Sequence, residues 1–411
     1  GLTVLQGLPG PFGNVTFRVR NVFGGLETFE LSARAGVEGQ TGFASIDGVY
    51  ASLEVGVNSA LVFPQILFPG ALRFRFNPFN PRTRVGVGYN LTDRPEYRRA
   101  SITGAMAYSW QTSLKRSYTL SVIDVNYIYT TKQSPSFETY LKQQDDSGNP
   151  LSQSFRTSFV TSLNGYYLYN DNVVGQNRQA RYFRLFLEAG GTLLNLFPRQ
   201  AVRNLQVNNN ISYFSFYKIN PDFRYYLPTG KTSSLAMRIS GGVAVPYGIS
   251  ETLPYEKFFF IGGSNSTRAW QPRRLGPGSF AGNRDSLYRF EQPGNLILEA
   301  NVEYRFKMVS FVNGALFVDA GNVWTLKKQE SKPGGEFEPD RFFKEIAIGT
   351  GFGLRFDFSF LILRLDAGVK VYDPSRPVGE RFIAHKFSLG QALKSDNQYR
   401  ALINLGIGYP F

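Results

Sequence analysis

The C-terminal stretch YRALINLGIGYPF, residues 399–411, decides the fold class of this chain. Every second residue is apolar or aromatic, up to Tyr409 and Phe411, whereas the intervening positions include Gly406 and Gly408. Side chains of a strand point alternately to its two faces, so one face here is apolar and the other polar. Aromatic residues at the end of an apolar face are typical of a strand that faces lipid, although a soluble β-sandwich could contain the same alternation.

The alternation recurs throughout the chain. In NVTFRVRNV, residues 14–22, Val and Phe alternate with Thr and Arg. Roughly fifteen segments of about 9–18 residues follow this pattern, a length that suits tilted membrane strands. The segments lie at 14–22, 27–38, 50–63, 83–92, 97–111, 114–130, 155–169, 180–196, 209–226, 233–247, 295–306, 310–324, 344–358, 360–372 and 399–411. A stub at 1–8 makes the count even, so we predict an all-β, transmembrane antiparallel β-barrel of about 16 strands.

The connections between segments indicate the orientation of the barrel. Short connections largely alternate with long ones, as short periplasmic turns alternate with long extracellular loops in outer-membrane barrels. The short ones lie near 23–26, 112–113, 307–309 and 359, and the long ones at 131–154, 197–208, 248–294, 325–343 and 373–398. Two connections break the rule, because 64–82 is too long for a turn and 93–96 is too short for a surface loop.

Composition argues against several functions. The chain has 411 residues, no cysteine and one histidine, His385, so thiolate metal sites and clusters of histidine ligands are not expected. One histidine also makes a Ser-His-Asp triad a poor interpretation, and we predict no enzyme activity, no metal and no cofactor. The net charge of +14 could suggest nucleic acid, but Lys and Arg are spread through the segments without a basic run, so no nucleic-acid partner is predicted.

The longest connection, 248–294, contains PYEKFFFIGGSNSTRAWQPRRLGPGSF at 254–280. A loop of this length in a compact protein is functional or disordered, and its density of Gly, Pro and aromatic residues favours an ordered segment. We predict that this extracellular loop, called here the signature loop, folds back into the barrel lumen with Arg268 at its tip.

Strands after the loop offer places for it to dock. Asp319 and Glu299 lie on adjacent predicted strands with inward parity, and a carboxylate pair there could hold Arg268. Ordinary lumen charges that pair locally in water are the alternative. Gly349, Gly351 and Gly353 form a stripe without side chains, which predicts a close approach of the loop backbone.

The run GGSNSTRAW…RRLGPGS, the strand FVDAGNVW, the strand GFGLR and the terminal Phe together resemble the BamA/TamA family of outer-membrane assembly proteins. The resemblance covers the barrel and is most specific over 255–411. It places Arg268 on the family's loop arginine, Asp319 on the acidic residue of its Asp-x-Gly strand and Glu299 on the preceding inward glutamate. Residues of the signature loop assigned in this way are Gly262, Gly263, Trp270, Gly276, Pro277 and Gly278.

The chain departs from the family motif around its arginine. Thr267 replaces an aliphatic residue, Ala269 replaces Gly and Trp270 replaces Phe or Tyr, and the alanine casts doubt on a tight positive-φ turn there. The sequence of the loop is most similar to that of the TamA-like lipoprotein branch, TamL. Family members carry periplasmic POTRA modules before the barrel, and we expect none in 1–411 because the strand pattern starts within the first twenty residues.

The resemblance implies that the protein assembles other proteins into the outer membrane of a Gram-negative bacterium. Its expected partners are the lipid bilayer with lipopolysaccharide, client outer-membrane proteins, and periplasmic or lipoprotein accessory subunits. The physical basis would be the seam where the first strand meets 399–411, since an open edge offers backbone groups to an incoming strand. Gly406, Gly408 and Pro410 weaken the last strand, and we predict that the seam opens laterally beside Tyr409 and Phe411.

Two other functions remain open from the sequence. A secretion pore of the two-partner type shares the signature loop, and a porin-like diffusion channel shares the barrel. An outer-membrane phospholipase or protease would need a catalytic group, which His385 in a predicted surface loop does not readily supply.

Overall fold

A computed structural model gives the architecture. It describes residues 2–3, 10–41, 49–68, 70, 79–94, 96–146, 150–173, 177–193, 196–198, 200, 204, 211–248, 250–281, 291–358, 361–386 and 401–411. The described strands form a meander in which each long strand is antiparallel to the next. The predicted all-β antiparallel architecture of about sixteen strands is confirmed.

The strands have the following bounds: β1 Leu2–Thr3, β2 Gly10–Arg20, β3 Thr28–Thr41, β4 Val49–Phe63, β5 Phe79–Asp93, β6 Tyr97–Ser113, β7 Arg116–Gln133, β8 Ser158–Asn170, β9 Ala180–Gly190, β10 Ser212–Tyr213, β11 Phe216–Pro228, β12 Ser233–Pro246, β13 Leu296–Val309, β14 Val312–Trp324, β15 Ala347–Asp357, β16 Ile362–Tyr372 and β17 Leu402–Ile407. An α-helix, α1 at Pro135–Asp146, lies in the connection between β7 and β8. Short 3-10 turns occupy Pro150–Phe155, Tyr255–Lys257, Phe342–Glu345 and Ala384–Lys386.

Residues alternate between the two faces of the sheet. Along β2 and β3, Phe17, Val19 and Leu31 lie exposed on the apolar face, as lipid-facing side chains do. On the opposite face of the same strands, Arg18 pairs with Glu30. Within the described residues, no helix is long and apolar enough to cross a membrane.

The last strand is shorter than its sequence pattern. β17 pairs with β16 only from Leu402 to Ile407. Gly408 still donates its N–H to the Ile362 carbonyl of β16 over 2.8 Å, but its φ of +75° is a left-handed conformation that ends the strand there. Pro410 has no backbone N–H to donate. Tyr399, at the predicted start of this strand, lies outside the described residues.

The sheet is not closed where its two ends meet. β17 is paired with β16 on one side, and β2 is paired with β3. No register joins β17 to β2 in the part of the chain that the structure describes. Among the described residues, β1 pairs with β2 through Gly10 and Pro11 alone.

Candidate functional site

The signature loop runs between β12 and β13 and packs against the inner face of the sheet. Its apolar side chains are buried together with those of several strands. The buried loop residues are Leu253, Phe259, Ile261, Ala269, Trp270 and Leu275, and their strand partners include Phe216, Ala244, Ile297, Val323 and Ala347. This core holds the loop inside the barrel, as the sequence predicted.

Polar contacts fasten the loop at its two ends. On the entry side, Lys257 Nζ lies 2.5 Å from Glu188 Oε1 of β9. On the return side, Glu291 Oε1 lies 3.7 Å from Arg94 Nη1, which follows β5. Burial raises the pKa of the Glu291 carboxyl to about 7, because the opposing effect of Arg94 is smaller.

Arg268 forms the tip of the loop and is fully buried. Its Nε and Nη2 atoms donate to the two carboxylate oxygens of Asp319, each over 2.8 Å, and its backbone N–H donates to Asp319 Oδ2 over 3.1 Å. The ring of Phe317 lies 3.5 Å below the guanidinium carbon. Burial alone would lower the pKa of Arg268, but the hydrogen bond and charge of Asp319 and the charge of Glu303 outweigh it and raise that pKa.

The second acidic partner of Arg268 is Glu303, and the predicted pairing with Glu299 is wrong. Glu303 Oε2 accepts a hydrogen bond from Arg268 Nη1. Glu299 instead accepts from Arg238 Nη1 over 3.0 Å. Both glutamates share the inward parity of β13 and flank Asn301, which is opposite Asp319. Because Arg238 on the neighbouring strand lies beside Glu299, that carboxylate already has its cation. We call Arg268, Asp319 and Glu303 the latch.

A chain of buried charges extends from the latch across the next strands. Arg355 of β15 donates to Glu303 Oε2 over 2.9 Å and to Asp366 Oδ1 over 2.6 Å. Asp366 also forms an ion pair with Arg364, whose Nε lies 3.0 Å from Asp366 Oδ2. All these side chains are fully buried, so each charge depends on its neighbours for compensation.

Glycines of β15 and β16 make room for this arrangement. A Cβ on Gly349 would lie 2.6 Å from Ala269 Cβ, so this glycine accommodates the loop as predicted. A Cβ on Gly351 would meet the Ala367 carbonyl oxygen of β16 and the Phe317 ring instead. One on Gly353 would meet Asp366, so Gly353, like Gly351, accommodates other barrel residues rather than the loop. Gly368 of β16, which the sequence analysis did not single out, faces the loop directly, since a Cβ there would lie 2.7 Å from the carbonyl oxygen of Arg268.

Left-handed glycines shape the loop around the latch. Gly262, Gly263, Gly276 and Gly278 all have positive φ, at +111°, +97°, +92° and +53°. Gly263 N–H donates to the carbonyl of the buried Trp270 over 2.9 Å. The left-handed non-glycine residue of this region is Arg273, with a φ of +60°. Ala269 is not among the residues with positive φ, so the alanine at this position is compatible with the turn.

The far end of the loop is held by β14. Gly278, which follows Pro277, donates its N–H to the Val323 carbonyl over 2.8 Å. The fully buried amide of Asn322 donates to the Gly278 carbonyl over 2.8 Å. These contacts fix the GPG turn at 276–278 to the strand that also carries Asp319.

The last strand touches the latch directly. Asn404 Nδ2 of β17 donates to the Arg268 carbonyl over 2.8 Å. Gly406 lies under the Arg364 guanidinium, because a Cβ there would be 2.5 Å from Arg364 Nη2. Gly406 therefore serves the packing of the charge chain, in addition to any weakening of the strand.

A second path joins the latch to the end of the chain. Arg305 Nε lies 2.8 Å from Glu303 Oε1, and Arg305 Nη2 donates to the Phe411 carbonyl oxygen over 3.1 Å. The guanidinium carbon of Arg305 also lies 4.3 Å from the centre of the Tyr409 ring. The residues after β17 are thus tied to the same glutamate that binds Arg268.

Comparison with known proteins identifies the architecture that carries this site. Residues 49–393, most of the chain, match the Omp85 superfamily domain. The chain belongs to the Omp85 superfamily. Together with the barrel, Omp85 membership implies an outer-membrane protein of a Gram-negative bacterium.

Individual relatives of this Omp85 chain are distant. Over 121 residues it is 27% identical to the outer membrane protein assembly factor BamA of Neisseria meningitidis serogroup B, an alignment that covers 28% of this chain and 15% of that protein. BamA from Haemophilus ducreyi lacking POTRA domains 1–3 has a similar fold, with a TM-score of 0.54 and 15% identity over 91% of this chain and 68% of that one. CdiB from Acinetobacter baumannii gives a TM-score of 0.49 and 11% identity over 91% of this chain and 55% of that one.

Several residues of the Omp85 site escaped the sequence analysis. Glu303, Arg364 and Asp366 carry much of the buried charge, and Asn404 supplies the contact from β17. A signal for them was present, since Glu303 shares β13 and its inward parity with Glu299. Arg364, Asp366 and Asn404 are charged or amide residues on the inward parity of β16 and β17, the two strands that follow β15. Parity alone does not distinguish a residue that meets the loop from one that faces water.

Proposed function

We propose that this protein inserts client β-barrel proteins into the outer membrane by opening the seam between its last strand, β17, and its first strands, β1 and β2. The observation that carries the proposal is the contact of the latch with β17, in which Asn404 binds the Arg268 carbonyl. This hydrogen bond joins the docked loop to the seam strand β17, so release of the latch would loosen β17.

The pairing of β17 supports the same function. Six residues hold it to β16, between Leu402 and Ile407, whereas β13 and β14 pair over nearly their whole length. A short strand with a free edge can exchange partners at low cost, and an incoming strand would add to that edge by backbone hydrogen bonds. No nucleotide or covalent step is required for such an exchange.

A polypeptide secretion pore is the second candidate. The apolar core of the signature loop packs on β11–β15, whereas Arg18, Arg34 and Arg84 on the inner face of β2–β5 remain about half exposed. A polar passage beside the loop would suit the secretion of an extended chain. A porin-like channel is less well supported, because a loop core of six buried side chains occupies the lumen.

Reconstitution separates these functions. We expect liposomes containing the protein to accelerate the folding of a urea-denatured outer-membrane β-barrel client, scored by its heat-modifiable migration, relative to empty liposomes. In planar bilayers we expect small, unstable currents, because the loop core blocks the lumen. Large steady currents without acceleration of client folding would contradict the proposal and favour a pore.

We also propose that the protein belongs to the TamL-like lipoprotein branch, because the sequence of its signature loop resembles that branch. Accessory periplasmic or lipoprotein subunits are part of this proposal. A lipobox cysteine encoded upstream of residue 1 would test the branch assignment.

A further inference from the structure

A basic pocket lies at the turn end of the first strands, away from the signature loop. It has a volume of about 400 Å³. Its walls include Arg18 and Arg20 of β2, Glu30 of β3, and Asn80 and Arg82 of β5. It opens beside the β2–β3 turn, next to one strand of the seam.

Carboxylates of the protein compensate only part of the charge in this pocket. Glu30 already binds two cations, with Oε1 2.9 Å from Arg18 Nη2 and Oε2 2.7 Å from Arg84 Nη1. Arg82 Nε donates to the neutral amide of Asn80 over 3.1 Å. Arg20 has no hydrogen-bond or ion-pair partner among the described residues. Two guanidinium groups, those of Arg20 and Arg82, therefore lack a carboxylate within the described part of the chain.

The position of the pocket decides which anion can reach it. Arg18, Arg20 and Glu30 occupy the polar face of β2 and β3, whereas Phe17 and Val19 are exposed on the apolar face. Lipid headgroups approach a barrel from its apolar face, so the polar face is reached from within the barrel mouth. Guanidinium groups bind planar carboxylates bidentately, and two of them on the walls of one pocket, one from β2 and one from β5, favour a ligand with more than one acidic side chain.

We propose that this pocket binds an acidic peptide segment as it enters the barrel mouth beside β2. The identity of that segment as part of a client rests on the proposed function, but the binding itself does not. The ligand class is a short extended peptide with two or more Asp or Glu residues.

The experiment uses the whole protein in nanodiscs and a fluorescein-labelled peptide of alternating Glu and Ser residues. We measure binding by fluorescence anisotropy for the protein and for the double variant Arg20→Gln and Arg82→Gln. The expected loss of affinity is about fivefold, because exposed charge pairs contribute little each, and it should shrink at high salt. The matched control is Lys231→Gln, an exposed cation in the β11–β12 turn, which should bind the peptide like the unmodified protein.

Three results would overturn the proposal. The first is equal affinity of the double variant and the Lys231→Gln control. The second is equal binding of a Lys/Ser peptide, and the third is loss of peptide binding in nanodiscs of anionic lipid or with millimolar inorganic phosphate, which would assign the pocket to phosphate groups. Circular dichroism and heat-modifiable migration confirm that each variant is folded. No client is inserted in this assay, so a barrel that binds the peptide but inserts nothing would refute the proposed function alone.

Discussion

Replacing Arg268 by alanine is expected to free the signature loop and to lower the free energy of unfolding by about 3–5 kcal/mol, the range for breaking a buried ion pair. With the loop still docked, the substitution would remove the two side-chain hydrogen bonds to Asp319 and the one to Glu303 and leave both carboxylates buried, which favours release of the loop. Asn301 and Arg355 would still contact these carboxylates, so the barrel should form but lose its loop core.

Two measurements check this result. Unfolding in detergent by guanidinium gives the stability, and hydrogen exchange of residues 262–278 gives the docking of the loop. Arg273→Ala is the matched control, because Arg273 is a partly exposed arginine of the same loop, and its ion pair with Glu291 should contribute no more than about 1 kcal/mol. Equal exchange in Arg268→Ala and Arg273→Ala would show that the latch does not hold the loop.

A charge exchange tests the pair itself. Arg268→Glu alone places a third carboxylate beside Asp319 and Glu303 and should abolish docking of the loop. Adding Asp319→Arg should restore part of it, since the two residues again carry opposite charges. Recovery would be incomplete because Glu303 then faces the new glutamate. A double variant no better than the single one would count against a specific pair.

Cross-linking the seam is expected to reduce client insertion to the rate of empty liposomes. The 411 residues contain no cysteine, so an introduced pair can be labelled selectively. Phe17→Cys on β2 and Ile403→Cys on β17 place thiols on the apolar faces of the two seam strands. A cleavable bifunctional maleimide should stop insertion, because a client strand could no longer enter between them, and cleavage should restore it.

The control for the seam keeps one of the same thiols. Ala367 of β16 and Ile403 of β17 are directly paired, so cross-linking cysteines at these two positions ties strands that already belong together. Insertion should continue in this variant. If seam-linked protein inserted client as well as the control, lateral opening would not be part of the mechanism.

Alternation in the sequence was sufficient to predict the strands and the loop, but not the end of the sheet. Apolar parity continues to Phe411, whereas pairing stops at Ile407. Gly408 favours a left-handed conformation and Pro410 lacks a backbone donor, so both residues help to end the strand. The alternation of side chains gives no information on backbone conformation.

Register explains why only one of the two acidic residues of the latch was predicted. Asp319 was named correctly because a single acidic residue lies on the inward face of β14. Glu299 and Glu303 share parity on β13, and a period of two cannot choose between them. The choice depends on where Arg238 falls on β12, a tertiary fact that requires the pairing of three strands. Gly368 was also not predicted, because the path of the loop determines which glycine of the barrel wall it approaches, and that path is a tertiary fact as well.

The distance between the seam strands tests most directly whether the latch controls the seam. Spin labels at Phe17→Cys and Ile403→Cys report it by pulsed electron resonance in nanodiscs. We predict a narrow distribution in the otherwise unmodified protein and a broader, longer one when Arg268→Ala is added, because β17 then loses its contact with the docked loop. Superimposable distributions for the two proteins would contradict control of the seam by the latch.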